Sequence, residues 1–208
     1  MSKPRQPIIL YGFKLSGHSH RAELLLRLLE LPFEFREVDL PAREQKGAAF
    51  LKLNPFGTVP VIDDSGFILA DSVAILVYLA TKYDSDRRWL PADPAIAGEV
   101  QRWLSVAQGP VYGGPCTARL VKLFGYQLDY DRAKASAEAL FGVLDGYLAG
   151  RRFLVGEAPT VADVAVYSYV AAAPEGHLTL ALYPAIRAWL GRIEALPHFD
   201  PMPISKVA

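Results

Sequence analysis

The sequence predicts two parts of different fold class within 208 residues: an α/β unit of order β-α-β-α-β-β-α, then an all-helical unit. Three observations carry this. Short β-prone runs alternate with helical runs as far as Tyr83. The polar stretch Asp84–Pro94, DSDRRWLPADP, with its two prolines, then breaks the pattern. Beyond it Ile96, Val100, Trp103, Leu104 and Ala107, and later Leu140, Leu144, Tyr147 and Leu148, fall at helical spacing with no convincing strand among them. The expected division is residues 1–83, a linker at 84–93, and residues 94–208.

Each element has its own signal. Ile8–Tyr11 is a short apolar strand, and the loop Ser16–Ser19 precedes RAELLLRLLEL, a dense helix ending at Leu31-Pro32, for which Ser19 is the expected N-cap. Phe33–Leu40 mixes aromatic and charged residues as a half-buried strand does. Pro41–Leu53 reads as a weak helix or an irregular loop. Val59–Asp63 and Phe67–Leu69 form a hairpin about Asp64-Ser65-Gly66, and Ser72–Tyr83 is a strongly apolar helix. In the second part, two Gly-Pro steps within WLSVAQGPVYGGPCTARLVKLFG are expected to kink or interrupt a helix. Thr160 and Asp163 stand in the S/T-x-x-D arrangement of a capping box at the head of a helix apolar almost all round, so capping accounts for Asp163 without a catalytic role.

Composition narrows the function classes. Lysine plus arginine and aspartate plus glutamate both number 22, so no net field recruits nucleic acid or acidic lipid, and a small molecule or a protein is the expected partner. The single cysteine, Cys116, cannot pair within the chain and supplies neither a redox CxxC nor a cysteine-rich zinc site; no metal spacing accompanies the histidines. No apolar run suits a signal peptide or a membrane span. The sequence reads as soluble and cytoplasmic.

The stretch Leu53–Asp63, LNPFGTVPVID, raises a sharper question, because Pro60 stands at a strand entrance. Proline is tolerated at the first position of a strand. Alternatively Val59-Pro60 is cis, the minority form at about 5% of such bonds, which would turn the Val59 backbone outward to pair with an extended peptide.

NPFGTVPVID, then Asp71-Ser72 opening the next helix, then the Thr160–Asp163 cap, in this order and spacing along nearly the whole chain, resemble the cytosolic glutathione transferases. The resemblance implies a thioredoxin-like first domain that binds glutathione and a helical second domain that contributes the electrophile site. It implies that Pro60 is cis and that the Val59 backbone pairs with the cysteinyl part of glutathione, with Thr58 a further contact. Asp71-Ser72 would take the γ-glutamyl end, the helix N-terminus and the Ser72 hydroxyl suiting its carboxylate and Asp71 its ammonium; the alternative is that either residue merely caps the helix. Gln45 and Lys46 stand where related sequences carry donors for the glycyl carboxylate, or else belong to a solvated loop. Tyr112, Cys116 and Arg119 are candidates for the electrophile pocket, with packing between helices as the alternative for each. A homodimer is implied too.

The activity implied is conjugation of the glutathione thiolate, as co-substrate, to a small hydrophobic electrophile. The alternatives are a glutathione-dependent peroxidase or isomerase, and a non-catalytic binding or regulatory module of the same fold. A thiol of ordinary pKa needs a group that favours its anion. In serine-type relatives (theta-, zeta- or phi-like) that group is a serine four or five residues before an arginine. Counting five back from Arg21 gives Ser16. Tyr11 is the rival on the tyrosine-type pattern, and His18 or His20 could act as a base or tune the site by charge. SGHSHR has the spacing of the zeta-class SSCxxR but places His18 at the cysteine, which counts against zeta-type isomerisation.

Overall fold

The computed structural model describes residues 4–205. They form two compact units. The first holds the described residues to Arg87 together with Pro197–Pro203, and the second holds Arg88–Leu196 with Ile204 and Ser205.

The first unit is a four-stranded sheet carrying helices. Its strands are β1 (Ile8–Gly12), β2 (Phe33–Glu37), β3 (Val61–Asp64) and β4 (Phe67–Ala70), in spatial order β2-β1-β3-β4. β1 and β2 are parallel, and the crossover between them is α1 (Gly17–Leu28); β3 runs antiparallel to both β1 and β4. The Asp64–Phe67 turn has positive φ at Ser65 and Gly66, as a two-residue hairpin turn of the I′ kind requires, and Asp63 Oδ1 accepts from Gly66 N at 2.7 Å. β3 starts at Val61, two residues later than expected, because Pro60 has no N–H to give a ladder. β2 stops at Glu37, before Leu40, and α1 stops at Leu28, with Glu30 at φ 52 turning the chain toward Leu31.

Alternation across the sheet separates two cores. Tyr11, paired with Val61, points to a cluster built on Val38, Phe50 and Val61; a one-turn helix, α2 (Ala48–Leu51), supplies Phe50 there. Leu10, paired with Ile62, points the other way with Ile8, and all three are fully buried on the side where α1 and α3 (Ser72–Tyr83) pack. The far end of α3 is tied to the hairpin by the buried Asp64 carboxylate, which accepts from Lys82 Nζ (2.6 Å), Tyr83 Oη (2.6 Å) and Tyr78 Oη (2.7 Å). Burial works against its ionisation, but the three donors outweigh it and hold the carboxyl below its ordinary range, while burial and that same carboxylate push the Tyr83 hydroxyl up to about 12.

Among the described residues the regular elements of the second unit are all helical. α4 (Pro94–Gln108) starts on an Asp93 cap with Pro94 in its first turn, the arrangement proline favours. After Gly109-Pro110 the chain makes a π-helical turn, Tyr112–Cys116, with Pro115 inside it, so the Gly-Pro steps interrupt the helix as expected; α5 (Thr117–Phe124) follows and ends on Gly125 at φ 69. A Cβ at Gly114 would lie 2.9 Å from the backbone of Ala137, so only glycine lets this turn approach α6 (Tyr130–Leu148) so closely. α7 (Val161–Ala171) is buried from Val161 to Val170, and α8 (Pro184–Glu194) presents Trp189 to its base. The stretch read as a linker contributes to this unit, since Trp89 is buried and its carbonyl accepts from Val161 N at 2.9 Å.

The capping box at α7 is present and does more than cap. Thr160 Oγ1 accepts from Ala162 N, while Asp163 Oδ2 accepts from Thr160 N (2.8 Å) and Thr160 Oγ1 (3.3 Å). Its other oxygen accepts from Leu154 N and from the Trp189 indole, both at 2.9 Å. Burial pushes the Asp163 carboxyl up, and these bonds oppose that shift. Asp163→Ala would strand three buried N–H donors, each worth about 1–3 kcal/mol when unsatisfied. It is expected to lower stability by at least about 3 kcal/mol in urea unfolding, against about 1 kcal/mol for Thr160→Ala, which removes the cap alone; equal losses would reduce Asp163 to a simple cap.

Candidate functional site

Sheet register assembles the candidate site. Val61 faces Tyr11 on one side and Ala70 on the other, so one end of the sheet gathers the exit of β1, the entrance of β3 and the exit of β4. Those are the loop Phe13–Ser16, the step Val59-Pro60, and Asp71-Ser72. The Val59-Pro60 peptide is cis. Val59 is half-buried, and its backbone enters none of the hydrogen bonds of this loop.

Ser16, not Ser19, is the N-cap of α1. It has extended backbone, φ −89° and ψ 117°, and its Oγ accepts from Ser19 N at 3.3 Å. Ser19 lies inside the first turn, buried, with its Oγ accepting from Phe13 N at 3.1 Å, so it ties the β1–α1 loop to the helix. A capping hydroxyl uses a lone pair for the helix and keeps its proton to donate. Tyr11, by contrast, packs at the Val61 cluster, and its hydroxyl accepts from Arg36 Nη1 of β2 at 3.2 Å.

Asp71 caps α3 through Oδ1, which accepts from Val73 N (2.9 Å) and Ala74 N (3.0 Å). Its φ is 75° with ψ 124°, a sparsely populated region for a non-glycine residue, at a cost of about 1–3 kcal/mol. The following residue, Ser72, is buried. Its Oγ lies 3.2 Å from both His18 Nδ1 and Arg21 Nη1, and that same Nη1 is 3.0 Å from His18 Nδ1. The first turns of α1 and α3 are therefore joined by a three-membered polar contact around Arg21, which is fully buried.

Gln45 and Lys46 sit in a 3-10 turn, Glu44–Lys46, against the loop that leads to Pro60. Lys46 Nζ donates to Phe56 O at 3.1 Å, and a Cβ on Gly57, at φ 59°, would lie 2.7 Å from Gln45 O, so this contact admits only glycine. Asn54, given no role of its own in the motif NPFGTVPVID, is buried and organises that loop. Its Nδ2 donates to Thr58 O (2.8 Å) and Thr58 Oγ1 (3.0 Å), and its Oδ1 accepts from Phe56 N. The signal for Asn54 was its place before Pro-Phe-Gly, where Asn side chains fold loops onto themselves.

The candidates from the second unit divide. Tyr112 is 47% exposed, whereas Cys116 and Arg119 are each 1% exposed. Arg119 Nε donates to Glu175 Oε2 at 2.6 Å in an internal ion pair, so these two residues pack within the helical unit, the alternative that the sequence left open for them. Among the described residues no His, Cys, Asp and Glu side chains group as a metal site, and no helix is long and apolar enough to cross a membrane.

Burial, with the Arg21 charge second, pushes the His18 imidazole down to about 3. Below pH 6.5 the unfolded chain then takes up a proton that the folded chain refuses, and stability falls as pH falls toward 3. At pH 5 the loss from this group is about 2 kcal/mol relative to pH 8. His18→Asn is expected to flatten the acid side of the stability–pH curve by about that amount; urea midpoints at pH 8 and 5 that fall equally in both proteins would refute the depressed His18 pKa.

The chain is similar to known proteins along most of its length. Residues 15–82 match the glutathione S-transferase N-terminal domain and residues 119–197 the glutathione S-transferase C-terminal domain. Glutathione S-transferase 3 of Zea mays is 34% identical over 204 residues, covering 93% of this chain and 92% of its own. Human glutathione S-transferase theta-2 is 32% identical over 174 residues, 79% of this chain and 71% of its own. A solved glutathione S-transferase from Pseudomonas fluorescens Pf-5 superposes with a TM-score of 0.88 at 31% identity, covering 96% of this chain and all of that one. With a thioredoxin-like first unit, a helical second unit and these relatives along nearly its whole length, the chain belongs to the cytosolic glutathione S-transferase family.

Proposed function

We propose that this protein is a glutathione transferase that holds glutathione along the end of its sheet and joins the thiolate to hydrophobic electrophiles. The observation that carries the reading is the meeting of Ser16, Val59-Pro60 and Asp71-Ser72 at one sheet end in a chain of this family. The Val59 N–H and C=O pair strand-like with the cysteinyl residue. Asp71 takes the γ-glutamyl ammonium while still capping α3, and Ser72 with the first amides of α3 takes the carboxylate. Gln45 and Lys46, with Thr58, lie toward the glycyl end. Ser16 donates to the sulfur, and together with the positive end of α1 it favours the anion without removing the proton as a base. The thiolate then forms the S–C bond, and the electrophile loses its leaving group or takes up a proton.

Tyr112 is the remaining candidate for contact with the electrophile, because it alone of the three second-unit residues is exposed. A homodimer and a cytoplasmic location, where glutathione is kept reduced, go with this reading. The place of Ser16 at the positive end of α1 and the packing of Tyr11 at the Val61 cluster favour the serine over the tyrosine as activator.

Retention on immobilised glutathione with elution by free glutathione is expected; a protein that neither binds nor conjugates a standard aromatic halide would be a non-catalytic relative. Asp71→Ala is expected to weaken glutathione binding by about 1.5–3 kcal/mol in calorimetry, the scale of a charge-assisted bond, and wild-type affinity would move the γ-glutamyl end elsewhere. In Ser16→Ala the ultraviolet thiolate titration is expected to shift up. Each unit corresponds to about 1.4 kcal/mol, so turnover at neutral pH should fall about tenfold per unit and recover in alkali. Tyr11→Phe should titrate as wild type, and a shift confined to Tyr11→Phe would give the role to the tyrosine.

A further inference from the structure

The contact between Arg21, His18 and Ser72 can be resolved into donors and acceptors from elementary chemistry. A guanidinium has no lone pair to accept with. The 3.0 Å contact from Arg21 Nη1 to His18 Nδ1 and the 3.2 Å contact from the same nitrogen to Ser72 Oγ are therefore both donations by arginine, and Nη1 carries a hydrogen for each. His18 is then neutral with its proton on Nε2, and the single lone pair of Nδ1 is taken. The Ser72 hydroxyl, 3.2 Å from that same Nδ1, has no second lone pair there to point at. That leaves the hydroxyl proton to be donated elsewhere than to Nδ1. A buried histidine whose pKa is pushed down to about 3 keeps this arrangement over the working range of pH.

The geometry points to Arg21 as a positioning residue, with His18 as its partner: by filling the Nδ1 lone pair and donating to Oγ, it commits the Ser72 hydroxyl proton to a ligand carboxylate at the head of α3. This rests on the glutathione-binding reading above, and it assigns to two residues of α1 a part in recognition that neither performs by touching the ligand. The groups facing His18 in this contact are Arg21 from its own helix and Ser72 from α3. Replacing Arg21 by a residue without donors would free Nδ1, and Ser72 would spend its proton on the imidazole.

The test separates this role from simple support of the fold. Affinities are measured by calorimetry for S-methylglutathione and for its analogue with 4-aminobutyryl in place of γ-glutamyl, which keeps the ammonium but lacks the neighbouring carboxylate. The wild type is expected to prefer the first by about tenfold or more, and Arg21→Met to lose most of that preference while binding the analogue as before. Equal weakening toward both compounds, or no change toward either, would overturn the proposal; a wild type that binds neither would overturn the glutathione reading and this inference with it. Should Arg21→Met fail to fold, nitrogen-15 spectra of the wild-type imidazoles decide. His18 is expected neutral with Nε2 protonated from pH 8 to pH 5, and a protonated Nδ1 within that range would overturn the assignment.

Discussion

The candidate site depends on the backbone pairing on either side of Val61. With Tyr11 across one ladder and Ala70 across the other, the residue before β3 and the residue after β4 are held at the same end of the sheet as the loop leaving β1. A slip of one residue would reverse every side chain of β3, sending Val61 out of the Phe50 cluster and Ile62 out of the helical core. The two buried faces therefore fix the register, and the register fixes where a ligand can lie.

Two helix starts lie side by side on that foundation. α1 begins at Ser16 and α3 at Asp71, and the buried Arg21 joins them through His18 and Ser72. Two positive helix ends and a guanidinium act in the same sense, toward anions, and a thiol and a carboxylate are groups whose charged forms gain there. The strained backbone of Asp71 fits this picture. A glycine would relax φ 75°, yet it would remove the carboxylate that satisfies Val73 N and Ala74 N.

The helical unit shows the same economy of polar groups in an apolar setting. Asp163 was legible as a cap, because S/T-x-x-D before an apolar run is a local signal. Its bonds to Leu154 N and Trp189 Nε1 join it to the preceding loop and to α8, and they come from residues 9 and 26 positions away. No spacing rule reaches that far. Arg119 is the opposite case. The sequence offered it as a pocket residue, and Glu175, supplied from a later helical turn, draws it into an internal ion pair.

What the sequence by itself determined is the order and class of the elements, since hydrophobic period and turn residues act over a few positions, and the motifs that mark the family: NPFGTVPVID, Asp71-Ser72 and Thr160–Asp163. It also placed Pro60, whose missing donor delays β3 until Val61. The tertiary structure alone decided which serine caps α1, because Ser19 is drawn off by Phe13 N. It alone decided that Asn54 would bind Thr58, that Asp64 would collect Tyr78, Lys82 and Tyr83, and that Arg21, one charge in an apolar run, would be buried against Ser72, 51 residues on. The physical reason is the same each time. A buried polar group must find partners wherever packing brings them, and packing is a property of the folded chain as a whole.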